Sequence, residues 1–141
     1  MVRKTMVTVA VLLAVVMWLF GGCSYRYPDV VVTKLDRDGA VRVAVGKYLA
    51  IMLPGDYEAT GCQWADEDGP DWDVLRPRVS IYSPRARPLE GGEPGRYADV
   101  YLAVSPGVTR IGLVQKTGGY PARVCDRFAV EVEVVGRFDL R

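Results

Sequence analysis

The chain has 141 residues, a formal net charge of +1 and no histidine. The near balance of charge excludes a strongly basic partner surface, and with it nucleic-acid binding, which needs a clear excess of lysine and arginine. The missing imidazole excludes the catalytic triads and metal sites that depend on it, so neither enzyme activity nor a cofactor is expected.

In chain order, the first element is a signal-peptide profile over residues 1–22. Arg3 and Lys4 precede an apolar run over 6–20 that is broken only by Thr8. That run is short against the roughly 20 residues of a permanent membrane span. It ends in Leu19-Phe20-Gly21-Gly22-Cys23, which resembles a bacterial lipobox with phenylalanine in the usual leucine position. The resemblance implies cleavage before Cys23, acylation of its thiol, and a domain held at the membrane outside the cytoplasm, in the cell envelope. Residues 23–28 then form a tether whose Tyr25 and Tyr27 suit a membrane interface. The alternative is an uncleaved anchor with an incidental cysteine.

Cleavage would leave 119 residues with 16 basic and 17 acidic side chains, enough for one domain with one core, assigned to residues 29–136. With Cys23 acylated, Cys62 and Cys125 remain as a pair, and an oxidising compartment favours a disulfide between them over two free buried thiols.

The β-branched runs 29–34 and 40–45, separated by Asp36-Arg37-Asp38-Gly39, predict a hairpin with an Asp-Gly turn. An apolar strand over 48–53 follows, and Pro54-Gly55-Asp56 supplies turn chemistry, with Gly55 expected at positive φ. Gly61 marks a sharp bend. Cys62 and Trp64 fall on one face of the next strand, with Trp64 as a core anchor. Residues 65–73 read as a solvated acidic turn, since their carboxylates do not fit the spacing of a calcium loop. Strand material returns at 74–83, where Pro77 demands an edge or a bulge. A Pro/Gly-rich loop over 84–95 leads to alternating strands at 96–104 and 108–115. A second exposed loop occupies 116–124. The last strand has the clearest period of two, with Phe128, Val130, Val132 and Val134 inward and Glu131 and Glu133 outward. Trp72 and Tyr120 are the aromatic residues expected at the surface.

Seven or eight short strands and no helical period predict an all-β fold, an immunoglobulin-like antiparallel β-sandwich. Counting strand directions places the loops 54–61, 84–96 and 116–124 at one end.

Ala44-Val45-Gly46-Lys47, Leu53-Pro54, Thr60-Gly61-Cys62-Gln63-Trp64 and Asp126-Arg127-Phe128 together resemble, over about 30–134, the chagasin-type inhibitors of papain-like cysteine proteases. In that family the first loop reads Asn-Pro-Thr-Thr-Gly, an aromatic, any residue, then Trp; Thr60, Gly61 and Trp64 match at that spacing. The resemblance implies a three-loop wedge that enters a protease cleft and performs no chemistry. It assigns Thr60, Gly61 and Trp64 to the first loop, Gly91 and Gly92 to a Gly-rich second loop, and Lys116, Thr117, Gly118 and Tyr120 to the third. Two positions depart from the family pattern. Lys116-Thr117-Gly118 stands in place of Arg-Pro-Trp, and Tyr57-Glu58-Ala59 replaces Asn-Pro-Thr, bringing a glutamate that is costly to desolvate unless paired. A second reading keeps the scaffold and gives it a different envelope protein as partner.

Overall fold

The clean alternation of the last strand sets the architecture. Phe128, Val130, Val132 and Val134 are all within 2% of complete burial, and glutamates on the opposite face stay in water. The same period runs through the strand at 96–103, where Tyr97, Asp99, Tyr101 and Ala103 are buried. Two such faces bury their apolar sides only by packing on each other, which gives a sandwich. The computed structural model describes residues 27–84 and 94–139. Its strands are β1 (Val30–Thr33), β2 (Ala40–Ala44), β3 (Tyr48–Pro54), β4 (Cys62–Asp68), β5 (Leu75–Ser83), β6 (Arg96–Ala103), β7 (Gly107–Thr117) and β8 (Val124–Val135). One sheet has the order β1-β3-β6-β5 and the other β2-β8-β7-β4. Leu49, Ile51 and Leu53 from β3 meet Ile111, Leu113 and Phe128 from the facing sheet, and Trp64 and Leu75 close the β4/β5 side of the core.

The predicted hairpin does not form. β1 pairs parallel with β3, and β2 pairs parallel with β8, so the two runs lie in different sheets. A capped 3-10 turn at Lys34–Asp36 carries the chain across: the Asp36 carboxylate accepts from the Thr33 N–H at 2.7 Å, and Thr33 Oγ1 accepts from the Leu35 N–H at 3.3 Å. Asp38, at φ 57°, then donates its N–H to the Ala129 carbonyl at 2.8 Å. The Asp-Gly signal thus serves a crossover. Splitting the runs lets each bury a valine completely, Val32 from one side and Val43 from the other, which an isolated hairpin cannot do.

Two boundaries also differ from the sequence reading. β4 continues through the acidic stretch to Asp68, with a register shift between Asp66 and Asp68, so the turn proper is 69–74. Lys116 and Thr117 belong to β7, and the third connection is 118–123. Pro77 sits on an edge strand and also beside a register shift, between Pro77 and Val79, so both sequence alternatives hold. Residues 1–22, Cys23, Gly91 and Gly92 lie outside the described residues.

Candidate functional site

Strand register collects three connections at one end. Pro54 and Ser83 both pair with Arg96, and Cys62 pairs with Thr117, so the β3–β4, β5–β6 and β7–β8 connections leave from the same edge of the sandwich. The first two are tied together where the Gly55 N–H donates to the Gly95 carbonyl at 2.7 Å. A Cβ on Gly95 would stand 2.3 Å from the Gly55 carbonyl oxygen, so the approach requires glycine there. Gly55 itself is not left-handed; its place in the turn is one of close packing beneath Tyr82 and Trp64.

Between Gly55 and Cys62 the chain forms one helical turn, α1 (Tyr57–Thr60), where the sequence suggested only a loop. Gly61, at φ 67°, ends it in the left-handed conformation and donates its N–H to the Tyr57 carbonyl at 2.7 Å. Thr60 Oγ1 donates to the Asp56 carbonyl at 2.7 Å and accepts from the Cys62 N–H at 3.2 Å, so the Thr60-Gly61 pair is fixed on both sides while staying exposed. Beneath it, Trp64 is 8% exposed and its indole N–H donates to the Pro54 carbonyl at 2.9 Å.

Glu58 is paired. The Tyr82 hydroxyl donates to its Oε2 at 2.6 Å and accepts from the Tyr57 N–H at 3.3 Å, which latches α1 to β5. Desolvation, reinforced by the bond to Glu58, pushes the Tyr82 hydroxyl above its ordinary pKa, so it stays a donor at neutral pH. Sequence reasoning missed this partner because Tyr82 lies 24 residues further on, in a different strand.

The disulfide joins Cys62 and Cys125 with Cα atoms 6.5 Å apart. β4 and β8 flank β7, and two strand spacings come to about 10 Å, too far for a bridge. The gap closes because β8 bulges: Gln115 pairs with Asp126 and Lys116 with Val124, leaving Cys125 out of the ladder and free to reach β4. Next to it, Asp126 accepts both a hydrogen bond from Arg37 and an ion pair from Lys34 at 3.0 Å. Partial burial pushes the Asp126 carboxyl upward, but these cations outweigh it and hold it below the usual carboxylate range. The third connection is closed by the Arg123 N–H donating to Thr117 Oγ1 at 2.9 Å, and Tyr120 stands fully exposed on it.

Of the residues expected to bind a partner, Thr60, Gly61, Gly118 and Tyr120 are exposed at this end, Lys116 is exposed on β7, Thr117 is half-buried, and Trp64 supports them from the core. Among the described residues no group of three or more histidine, cysteine or acidic side chains could hold a metal.

No family model matches the chain, and no curated protein matches it. Solved structures do. The cysteine protease inhibitor EhICP2 from Entamoeba histolytica superposes with a TM-score of 0.60 at 15% identity, covering 75% of this chain and 94% of that one. The fold is the chagasin-type β-sandwich. Amebosin matches the chain with a TM-score of 0.56 at 21% identity, over 77% of it and the whole of the other. At these identities the likeness concerns the fold. In this fold the connections at 55–61 and 118–123 are neighbours, braced from below by the disulfide and by Asp126.

Proposed function

We propose that the protein is an envelope lipoprotein, anchored through Cys23, whose sandwich presents the connections at 55–61, 84–95 and 118–123 to a papain-like cysteine protease and blocks it without chemistry of its own. The observation that carries the reading is the exposed Thr60-Gly61 pair, held rigid by its own hydrogen bonds, by the Tyr82–Glu58 latch and by Trp64 below. A preorganised loop pays little ordering entropy on binding, which is what a wedge needs. EhICP2, a cysteine protease inhibitor, has the same fold. Titration of the purified chain against papain-like cysteine proteases tests it: inhibition at micromolar concentration or below is expected, and none at that level would contradict it. For the anchor, Cys23→Ser is expected to leave the precursor uncleaved or to release the protein from the membrane fraction.

One observation favours a second reading, a non-protease envelope partner. The connection 118–123 carries Tyr120 as its aromatic residue and has no tryptophan, whereas aromatic anchors dominate interface energetics. Cross-linking in cells followed by identification of the captured protein separates the two readings, because only the first returns a cysteine protease.

A further inference from the structure

The end of the sandwich opposite the loops has a composition of its own. β1 begins there, where Val30 meets Leu49, and β8 ends there, where Val135 meets Ala44, so both termini of the described domain leave from this end. Entry of the chain is clamped. The Asp29 carboxylate accepts from Lys47 Nζ at 3.0 Å and from the Tyr48 N–H at 2.9 Å, and only Tyr27 and Pro28 of the described residues precede it. Tyr27 is 90% exposed. The β4–β5 connection arrives at the same end carrying Trp72, 65% exposed, on a turn in which the Leu75 N–H donates to the Asp71 carbonyl at 2.8 Å and the Ser105 hydroxyl donates to the Asp73 carbonyl. Beyond β8, Phe138 is 88% exposed on the turn closed by Asp139 and Gly136. A recess of about 530 Å³ lined by Tyr27, Lys47 and Arg137 opens beside them. A tyrosine, a tryptophan and a phenylalanine exposed at one end match the bilayer interface, where amphipathic rings sit at headgroup level; Lys47 and Arg137 line the recess with Tyr27, while Asp71 and Asp73 flank Trp72 and Asp139 follows Phe138.

We propose that this end lies in the headgroup region of the membrane, with Trp72 and Phe138 inserted beside the tether and the loop end directed away from the bilayer. The inference rests on the reading of Cys23 as acylated. Four peptide units separate Cys23 from Tyr27, a reach of at most about 14 Å, so an acyl chain on Cys23 holds Tyr27 within one headgroup layer of the surface. The rings at the same end then meet lipid with no further movement of the domain. β8 has 12 residues at about 3.3 Å each, which carries the loop end roughly 40 Å from the bilayer, within reach of a soluble protein partner.

The full chain, produced in bacteria and reconstituted into phosphatidylethanolamine–phosphatidylglycerol vesicles, tests this with lipids brominated near the headgroup. Once residues 1–22 are removed, Trp64 and Trp72 are the remaining tryptophans, and Trp64 is shielded in the core. Brominated vesicles are expected to quench part of the tryptophan emission, and Trp72→Phe is expected to abolish that loss. Equal emission in brominated and plain vesicles, from protein that floats with both, overturns the proposal and leaves the anchor standing. Quenching of Val79→Trp placed in the Trp72→Phe background, without quenching of the parent, overturns it in favour of a molecule lying on the outer face of its β1-β3-β6-β5 sheet. A mature N-terminus whose mass shows no acyl group on Cys23, with the chain in the soluble fraction, defeats the anchor and this inference together.

Discussion

Asp66 shows how one residue can be tuned against the fold. It is exposed on β4, two residues beyond Trp64, and senses the charge of Asp99 on β6, which is buried and accepts from the Tyr97 hydroxyl at 2.6 Å and the Tyr101 hydroxyl at 3.3 Å. Burial and the Asp99 charge raise both tyrosine pKa values far above the ordinary, so they remain donors at every accessible pH. Desolvation, and then repulsion from Asp99, also raises the Asp66 carboxyl. A carboxyl raised in the folded state destabilises the fold when ionised, and the penalty fades as pH falls through its folded pKa toward the unfolded value near 3.9. Asp66→Asn is therefore expected to raise Tm at pH 7, with a gain that shrinks on acidification, as thermal melts at several pH values would show. Trp64→Ala should cost about 3–5 kcal/mol in denaturant unfolding, since it empties a core position and frees the Pro54 carbonyl. The tryptophan's role was legible from its place in a period-2 strand. The carboxylates coupled at the core were not: Asp66 read as part of a polar turn, because nothing local signals that β4 runs beyond Trp64 to Asp68.

Among the elements, the paired strands were easier to read than the connections. β3, β6, β7 and β8 announce themselves through alternation, whereas the partners of β1 and β2 depend on which longer strand offers a free edge, a long-range fact that an Asp-Gly turn cannot encode. The disulfide was foreseen from the cysteine count and compartment, but its geometry depends on a bulge without a sequence signature. A bridge over a separation of 63 residues constrains the unfolded chain by about 4 kcal/mol in the loop-entropy model. Cys62→Ser and Cys125→Ser should each destabilise by about 2–5 kcal/mol, and the double variant no more than either, because each change removes the same bond. Chemical denaturation of the three variants checks the pattern. At the end of α1, Gly61→Ala should cost about 1–2 kcal/mol for a side chain in the left-handed region, with no steric contribution, since nothing lies within 4 Å of the added carbon.

For the whole molecule, the two outer faces and the two ends divide the work. The outer face of the β2-β8-β7-β4 sheet is laced with ion pairs, Arg42 to Glu133 at 2.6 Å and Arg127 to Glu67 at 3.1 Å, and the Arg42 guanidinium holds the Glu133 carboxyl below its usual range. Depressed carboxylates such as Glu133 and Asp126 contribute stability that is present above the unfolded pKa, near 4, and is lost as pH falls through the lower folded value. Asp126→Asn is thus expected to lower Tm at pH 7, and the difference from wild type should begin to shrink below about pH 4 and close only once pH falls below the lowered folded-state value, where the native carboxylate is itself protonated. That residue also couples the loop end to the body of the sandwich, through Lys34 and Arg37 on the crossover that the sequence presented as a hairpin. The position of the loops at a common end was legible from strand counting alone, but the latch and clamps that stiffen them were not, because each joins residues far apart in the chain. If this stiffened end is the binding surface, hydrogen exchange of the chain with and without an active-site-intact papain-like cysteine protease will reveal it. Slowed exchange confined to the connections at 55–61, 84–95 and 118–123 is the predicted result, while protection at 69–74 and 136–139, or none anywhere, would contradict it.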